Sequence, residues 1–347
     1  VALTAEINGE KVSDGRKDSR RASWKESARH IVMRYLFLFA FGSMLGGLTP
    51  WIGQWWFVFE LGSHFQHVYV LMAAVATTAF LLLKRWKVLP VAVAGLLITG
   101  WHIVPCYIGA GGSKTDVARV RLMTVNVLTV NTNHEGFAAV LAKEQPDVVA
   151  LQELNQVWVD ALREIEDVYP HHVFDPRSDN FGIGLMSRYP LESVEFVDLF
   201  GVNAIRAEVV VDGQRLTILN VHTLPPASPS YAAIRNQQLD RIAGLVQNVE
   251  SPLVVLGDLN ATMWSPYFRD LLKRTNLLDA RKGYGILATW PDDLAPLTIP
   301  IDHCLYTPPL AVQDFHSGPR FRSDHLPLTI DFVVPAGSGE ATAGAAA

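Results

Sequence analysis

Apolar and polar positions divide this chain near residue 113. No charged residue occurs between Tyr35 and Phe59, between Leu61 and Leu83, or between Val88 and Ser113. Each run matches the ~20 apolar residues that cross a bilayer. Arg20, Arg21, Lys25 and Arg29 cluster before the first run, Lys84-Arg85-Trp86-Lys87 follows the second, and the connection Thr49–His67 carries no Lys or Arg. Cationic loops stay cytoplasmic. The pattern therefore predicts a flexible cytoplasmic tail over residues 1–30, ending in a short helix, then a membrane region over 31–110 with three transmembrane helices. Everything from residue 114 falls on the outer face of the plasma (inner) membrane. Trp51, Trp55, Trp56 and Trp101 fit interfacial anchors, and His102 an interface-facing histidine, with an intramembrane functional group as the alternative. A re-entrant or interfacial segment around Trp51–Leu61 is the alternative, and it leaves the parity of spans unchanged.

From Lys114 the pattern changes to short apolar runs alternating with helical periodicity. Strands are predicted at Val120–Val125, Asp147–Leu151, Gly182–Met186, Ala204–Val211, Leu216–Val221, Pro252–Leu256, Ile301–Tyr306 and Leu326–Val334. Helices are predicted at Gly136–Lys143, Gln156–Ile165 and Ala232–Val246. Asp212-Gly213 is a hairpin signal. Residues 114–334 thus form one mixed α/β domain, and the small, polar stretch 335–347 reads as a disordered tail.

Composition narrows the partners. The 347 residues are 49% hydrophobic and 18% charged, but from Gly112 onward 18 Lys+Arg face 28 Asp+Glu. That excess of acid, with no Lys/Arg cluster interleaved with aromatics, is the reverse of a face that grips nucleic acid. An acidic domain behind membrane spans fits a small or lipid-borne phosphate better. Cys106 and Cys304 have neither disulfide-framework nor metal-ligand spacing, and read as small buried hydrophobes.

Polar residues collect at the strand ends. Asn126, Glu153, His222 and the pair Asp258 and Asn260 follow apolar runs, while Asp302 and Asp324-His325 stand at the starts of the last two strands. Alternation along an extended chain puts Asp258 and Asn260 on one side and Leu259 on the other. A carboxylate beside an amide can hold one water and a phosphoryl oxygen. Glu153 follows Val148-Val149-Ala150-Leu151, and a buried lone carboxylate is costly unless paired or bound to a metal. Oxygen ligands with an amide, and no thiolate set, favour Mg²⁺ or Mn²⁺ over zinc. Each residue also has a plain structural explanation: an Asx turn at Asp258, a helix cap at Glu153, a core histidine at His222, a turn at Ser323-Asp324.

Their order supplies more. Asn126, Leu151-Gln152-Glu153, Asn220-Val221-His222, Gly257-Asp258-Leu259-Asn260, Ile301-Asp302-His303 and Ser323-Asp324-His325 resemble the endonuclease/exonuclease/phosphatase superfamily, over about residues 118–334. The resemblance implies the DNase I-like fold, a four-layer α/β (α+β) sandwich with its active site at one end of the sheets. It implies Glu153 as principal metal ligand with Asn126 beside it, and Asp324 at the metal directly or through water. Asp258 would position or deprotonate the attacking water, helped by Asn260. His325, oriented by Asp302, would contact the phosphate, and His222 would bind phosphate or protonate the leaving oxygen. The sequence departs from several nucleases of the superfamily at Leu128, where they carry an acid or amide, which speaks against a second metal.

Three spans before such a domain, with His222-Thr-Leu-Pro-Pro and Asp258-Leu-Asn-Ala-Thr, are similar to a bacterial membrane-anchored branch of the superfamily. That branch includes extracytoplasmic proteins associated with teicoplanin resistance and proposed to act on polyprenyl-phosphate carriers. The expectation is a metal-dependent phosphoesterase acting on a lipid-linked phosphoester or pyrophosphate at the bilayer. A membrane-tethered nuclease and a catalytically silent binding module are the alternatives. Arg206 and Arg235 are candidate bidentate phosphate grips, with surface ion pairs the plainer reading. Trp264 and Tyr267 are candidates for an apolar lip, or for core packing.

Overall fold

The computed structural model describes residues 3–109, 119–211, 213–247, 249 and 252–334, with side chains from residue 23 onward. The expected tail at 335–347, Asp212 of the hairpin turn and the end of the third apolar run lie outside the described residues.

Four helices open the chain: α1 (Leu3–Ile52), α2 (Phe57–Ser63), α3 (Gln66–Leu82) and α4 (Leu89–Ile103). Helix α1 begins at Leu3, where the sequence led us to expect a tail. Its first proline is Pro50, and Ala, Glu, Lys and Arg before it all favour helix. Among the described residues two helices are long and apolar enough to cross a membrane, Ser23–Ile52 and Leu89–Tyr107. Helices α2 and α3 are bent by 68° and make a third span only if counted as one. Three spans were expected. The second run breaks where Ser63, His64 and Gln66, all buried, turn to internal hydrogen bonds.

The chain divides into two compact units. The first takes the residues up to Leu48 and His67–Gly100. It packs around Ala40, Ala76, Phe80 and Ala92, and Gly95 lets its backbone approach the Ala40 carbonyl, the close approach that small residues allow between apolar helices. The second takes Thr49–Gln66 together with Trp101 onward.

Within the second unit the order is β1 (Arg119–Asn126), α5 (His134–Glu144), β2 (Val148–Gln152), α6 (Gln156–Leu162), β3 (His171–Asp175), β4 (Ile183–Ser187), β5 (Leu191–Asp198), β6 (Asn203–Val211), β7 (Gln214–His222), α7 (Pro229–Val246), β8 (Leu253–Asp258), α8 (Pro266–Arg274), β9 (Leu278–Asp279), β10 (Asp302–Tyr306), β11 (Ala311–Ser317) and β12 (Leu328–Val333). Asn133, Asn155, Ser228 and Ser265 cap α5 to α8, each side chain accepting an N–H of the first turn.

Two six-stranded sheets form, ordered β11-β12-β1-β2-β4-β3 and β5-β6-β7-β8-β10-β9. Alternate residues of both sheets, among them Leu122, Ala150, Ile218 and Leu256, meet in a shared core. On the outer faces α5 and α6 cover Met123, Val149 and Leu151, and α7 and α8 cover Leu219, Val255 and Leu305. This is the expected sandwich of helix, sheet, sheet and helix. Each sheet has one parallel pair at its centre, β1 with β2 and β7 with β8. Their antiparallel neighbours β12 and β10 run the other way. The ends of the parallel strands and the starts of β10 and β12 therefore share one edge.

Candidate active site

That edge gathers the strand-end residues. Asn126 closes β1, and its Nδ2 lies 3.1 Å from Glu153 Oε1, 3.4 Å from Asp258 Oδ2 and 3.4 Å from His325 Nε2. The other Glu153 oxygen accepts from the Thr129 backbone N–H at 3.2 Å. Asp302 faces Asp258 across the β10–β8 register, and its Oδ2 is 2.8 Å from His325 Nδ1. His325 Nε2 is then 3.8 Å from Asp258 Oδ2, and His222 Nε2 is 3.6 Å from that same oxygen. Asp258 Oδ1 is held by the Asn260 N–H at 2.8 Å. The two halves are locked across the sheets by Gln152 Nε2 donating to Asn220 Oδ1 at 2.7 Å, while Asn220 Nδ2 donates to the Gly184 carbonyl at 2.7 Å.

Three residues of the site hold left-handed backbone without being glycine: Leu128 (φ 62°), Glu153 (φ 61°) and Asn260 (φ 45°). Such conformations persist only where the surroundings enforce them, and they gather at functional sites. Gly257, at φ 137°, has a different reason. A Cβ there would meet the Val221 carbonyl oxygen at 1.8 Å.

Electrostatics follows from burial. Burial and the adjacent Asp302 push the Asp258 carboxyl up to about 8. Burial also raises Glu153. Against the cost of burial, the Asp302 carboxylate holds the His325 imidazolium up to about 10, and His325 in turn lowers Asp302. His222, desolvated and beside His325, falls to about 4.

Asp258, Asp302 and His325 offer ligand atoms within 4.8 Å of one another, but His325 Nδ1 is already paired with Asp302 Oδ2 at 2.8 Å. The better seat for a cation is the carboxylate pair Glu153 and Asp324; Asn126 stands beside it with Nδ2 turned to Glu153 and Oδ1 accepting from the Leu128 N–H at 3.0 Å. Asp324 Oδ2 accepts from Trp290 Nε1 at 2.9 Å, whereas its buried Oδ1 has no partner. Oxygen-only donors, one of them orphaned, suit a hard divalent ion.

The fold thus brings together Asn126, Glu153, His222, Asp258, Asn260, Asp302, Asp324 and His325. It does not bring in the two arginines. Arg206 points to the outer face of its sheet with Glu195, 3.9 Å away. Arg235 is fully buried and donates to the Asn260 carbonyl at 2.6 Å. Neither lines the cleft of about 510 Å³ above the site, so neither can grip a phosphate there. Trp264 is buried and donates to the His102 carbonyl, so it is packing. The aromatic wall comes instead from Phe181, Tyr231 and Trp290. Sequence reading missed these, and also Thr129 and Glu60. Glu60 left a signal: it is the one charge between two uncharged runs, a position that demands a partner.

The chain belongs to the Endonuclease/Exonuclease/phosphatase family, whose model matches residues 123–325. The family contains metal-dependent phosphoester hydrolases. No curated protein matches the sequence. Among solved structures, the fold is similar to a humanized TDP2 of D. rerio at 19% identity, covering 62% of this chain and 99% of that one, with a TM-score of 0.55. It is similar to an endonuclease/exonuclease/phosphatase of Bacteroides vulgatus at 20% identity, covering 62% and 99%, TM-score 0.53. It is similar to another from Beutenbergia cavernae at 22%, covering 62% and 72%, TM-score 0.51. At these identities the likeness is one of fold.

Proposed function

We propose that this chain is a membrane-anchored, divalent-cation-dependent phosphoesterase that hydrolyses a lipid-linked phosphoester or pyrophosphate on the extracytoplasmic side. One observation carries the reading. Among the described residues the cleft is lined by four carboxyl groups, two histidines and three aromatic rings, with no Lys or Arg. That lining disfavours a polyanionic strand and offers apolar walls to a lipid chain. The apolar helices at the start of the chain support the location.

Glu153 and Asp324, with Asn126 beside them, would hold Mg²⁺ or Mn²⁺, which when bound neutralises phosphoryl oxygens. Asp258 takes the proton of the attacking water, its carboxylate fixed by the Asn260 N–H. Asp302 keeps His325 protonated, and the Nε2–H of His325, on the cleft side of the ring, meets a non-bridging oxygen. His222 enters neutral. An arriving phosphate favours its charged form, which then gives its proton to the leaving oxygen.

A nuclease is the second reading, favoured by one neighbour: D. rerio TDP2 is solved with a single strand DNA product. Phosphate release by the detergent-solubilised chain separates the two. Substrates are a polyprenyl pyrophosphate, a phospholipid, a soluble phosphodiester and plasmid DNA, each with Mg²⁺ or Mn²⁺. Lipid turnover abolished by EDTA and by Asp258→Ala is expected. DNA cleavage with that dependence and no lipid turnover would make the chain a nuclease.

A further inference from the structure

The reaction above leaves one buried ion pair unused. Glu60 on α2 is 1% exposed and Arg235 on α7 is 0% exposed, and Glu60 Oε1 lies 2.9 Å from Arg235 Nη2. The same oxygen accepts from Ser265 Oγ at 2.9 Å and lies 3.3 Å from His64 Nε2. His64 Nδ1 is in turn 3.0 Å from Thr262 Oγ1. From its other side Arg235 donates through Nη1 to the Asn260 carbonyl at 2.6 Å and through Nε to Asn236 Oδ1 at 2.9 Å. These contacts converge on one short stretch, Asn260 to Ser265, just past the end of β8. Asn260 there holds strained backbone (φ 45°). Its N–H fixes Asp258 Oδ1, and its Nδ2 donates to the Thr223 carbonyl at 2.8 Å.

We propose that Glu60 and Arg235 are positioning residues of the active site. Glu60 fixes and neutralises Arg235, and Arg235 clamps the Asn260 carbonyl so that the Asp258–Asn260 turn aims its carboxylate and amide into the cleft. A buried guanidinium is tolerated only with a counter-charge, and a turn in left-handed backbone persists only when held. Glu60 comes from Thr49–Gln66, a segment between the apolar helices α1 and α3 that belongs to the same compact unit as the catalytic domain. The catalytic site therefore takes an essential part of its frame from the region that reads as membrane anchor. The kinetic part of this proposal rests on the phosphoesterase reading; its structural part does not.

The test uses the full chain in detergent, comparing wild type, Glu60→Gln, the double variant Glu60→Gln/Arg235→Met, and Arg215→Ala as a surface control. Amide hydrogen exchange is read on the peptide Gly257–Trp264, together with kcat, KM and thermal stability. In Glu60→Gln, exchange of that peptide rises about tenfold and kcat falls about 10²-fold with KM little changed, the signature of a displaced catalytic turn. The double variant removes both charges and regains thermal stability, yet stays slow because the clamp on Asn260 is gone. Recovery of kcat along with stability would mean that the pair is only structural, and would overturn the proposal. So would wild-type exchange in Glu60→Gln. Should the wild type turn over no phosphoester, the functional reading fails, and the exchange measurement still decides the clamp.

Discussion

At the scale of single residues, the site separates groups that touch the reacting atoms from groups that hold them. Asp258→Ala removes the proton acceptor and is expected to lower turnover ~10²- to 10⁴-fold with the fold intact by circular dichroism. His222 is the residue for pH. Its imidazole falls to about 4 in the fold from about 6.5 unfolded. Between those values the unfolded chain binds the proton that the folded chain refuses, so stability is lost as pH falls from about 6.5 through about 4. His222→Gln removes that component, on the order of 3 kcal/mol. The stability gap between wild type and variant should change across this window and stay flat above it, as denaturant melts at several pH values would show. Arg206→Ala is expected to leave turnover within about twofold, because its partner is Glu195 on the outer face and surface changes of this kind are small. The eight strand-end groups were legible because each follows or opens an apolar run. Arg206 fits the plainer reading, an ion pair on the surface; Arg235 fits neither, because nothing local marks a guanidinium as buried and its partner Glu60 lies in a different part of the sequence.

At the scale of elements, what the sequence showed and what it hid divide along the sheets. The central strands β1, β2, β4, β7, β8, β10 and β12 were each visible as an apolar run, and all are largely buried. The four strands that were not anticipated, β3, β5, β9 and β11, are the four sheet edges. An edge strand has one neighbour and one wet side, so its sequence mixes polarity; β5 reads Leu-Glu-Ser-Val-Glu-Phe-Val-Asp and is largely exposed. Helix α8 was missed although Ser265-Pro266 is a start signal. The most demanding position within an element is Gly257, where β7 and β8 run parallel and the Val221 carbonyl fills the space of a Cβ. Gly257→Ala forces backbone to move beneath Asp258 and is expected to cost ~3 kcal/mol or more, read as a lowered denaturation midpoint, with turnover falling as well.

At the scale of the whole molecule, charge and hydrophobicity are segregated, and that decides which phosphoester the chain meets. The sequence placed the boundary near residue 113, but the compact units place Thr49–Gln66 with the catalytic domain. Hydrophobicity alone could not reveal this, because Trp51, Trp55, Trp56 and Phe59 suit a membrane interface as well as a domain surface. From Gly112 onward 18 Lys+Arg face 28 Asp+Glu, and among the described residues the cleft adds no Lys or Arg of its own. Such a domain gains nothing from releasing counterions from a phosphate backbone. On the proposed function its substrate would reach it through apolar contact and through a bound cation, and neither is strongly screened by salt. The apparent KM for a lipid-linked phosphate in neutral detergent micelles is therefore expected to change less than about threefold between ~50 and ~200 mM salt. A protein contacting six to ten backbone phosphates loses ~10³- to 10⁵-fold in affinity over that range. A steep loss measured with the preferred substrate would show that the chain gathers a polyanion through basic surface outside the cleft. The aromatic wall of Phe181, Tyr231 and Trp290 would then serve to stack bases instead of seating a lipid.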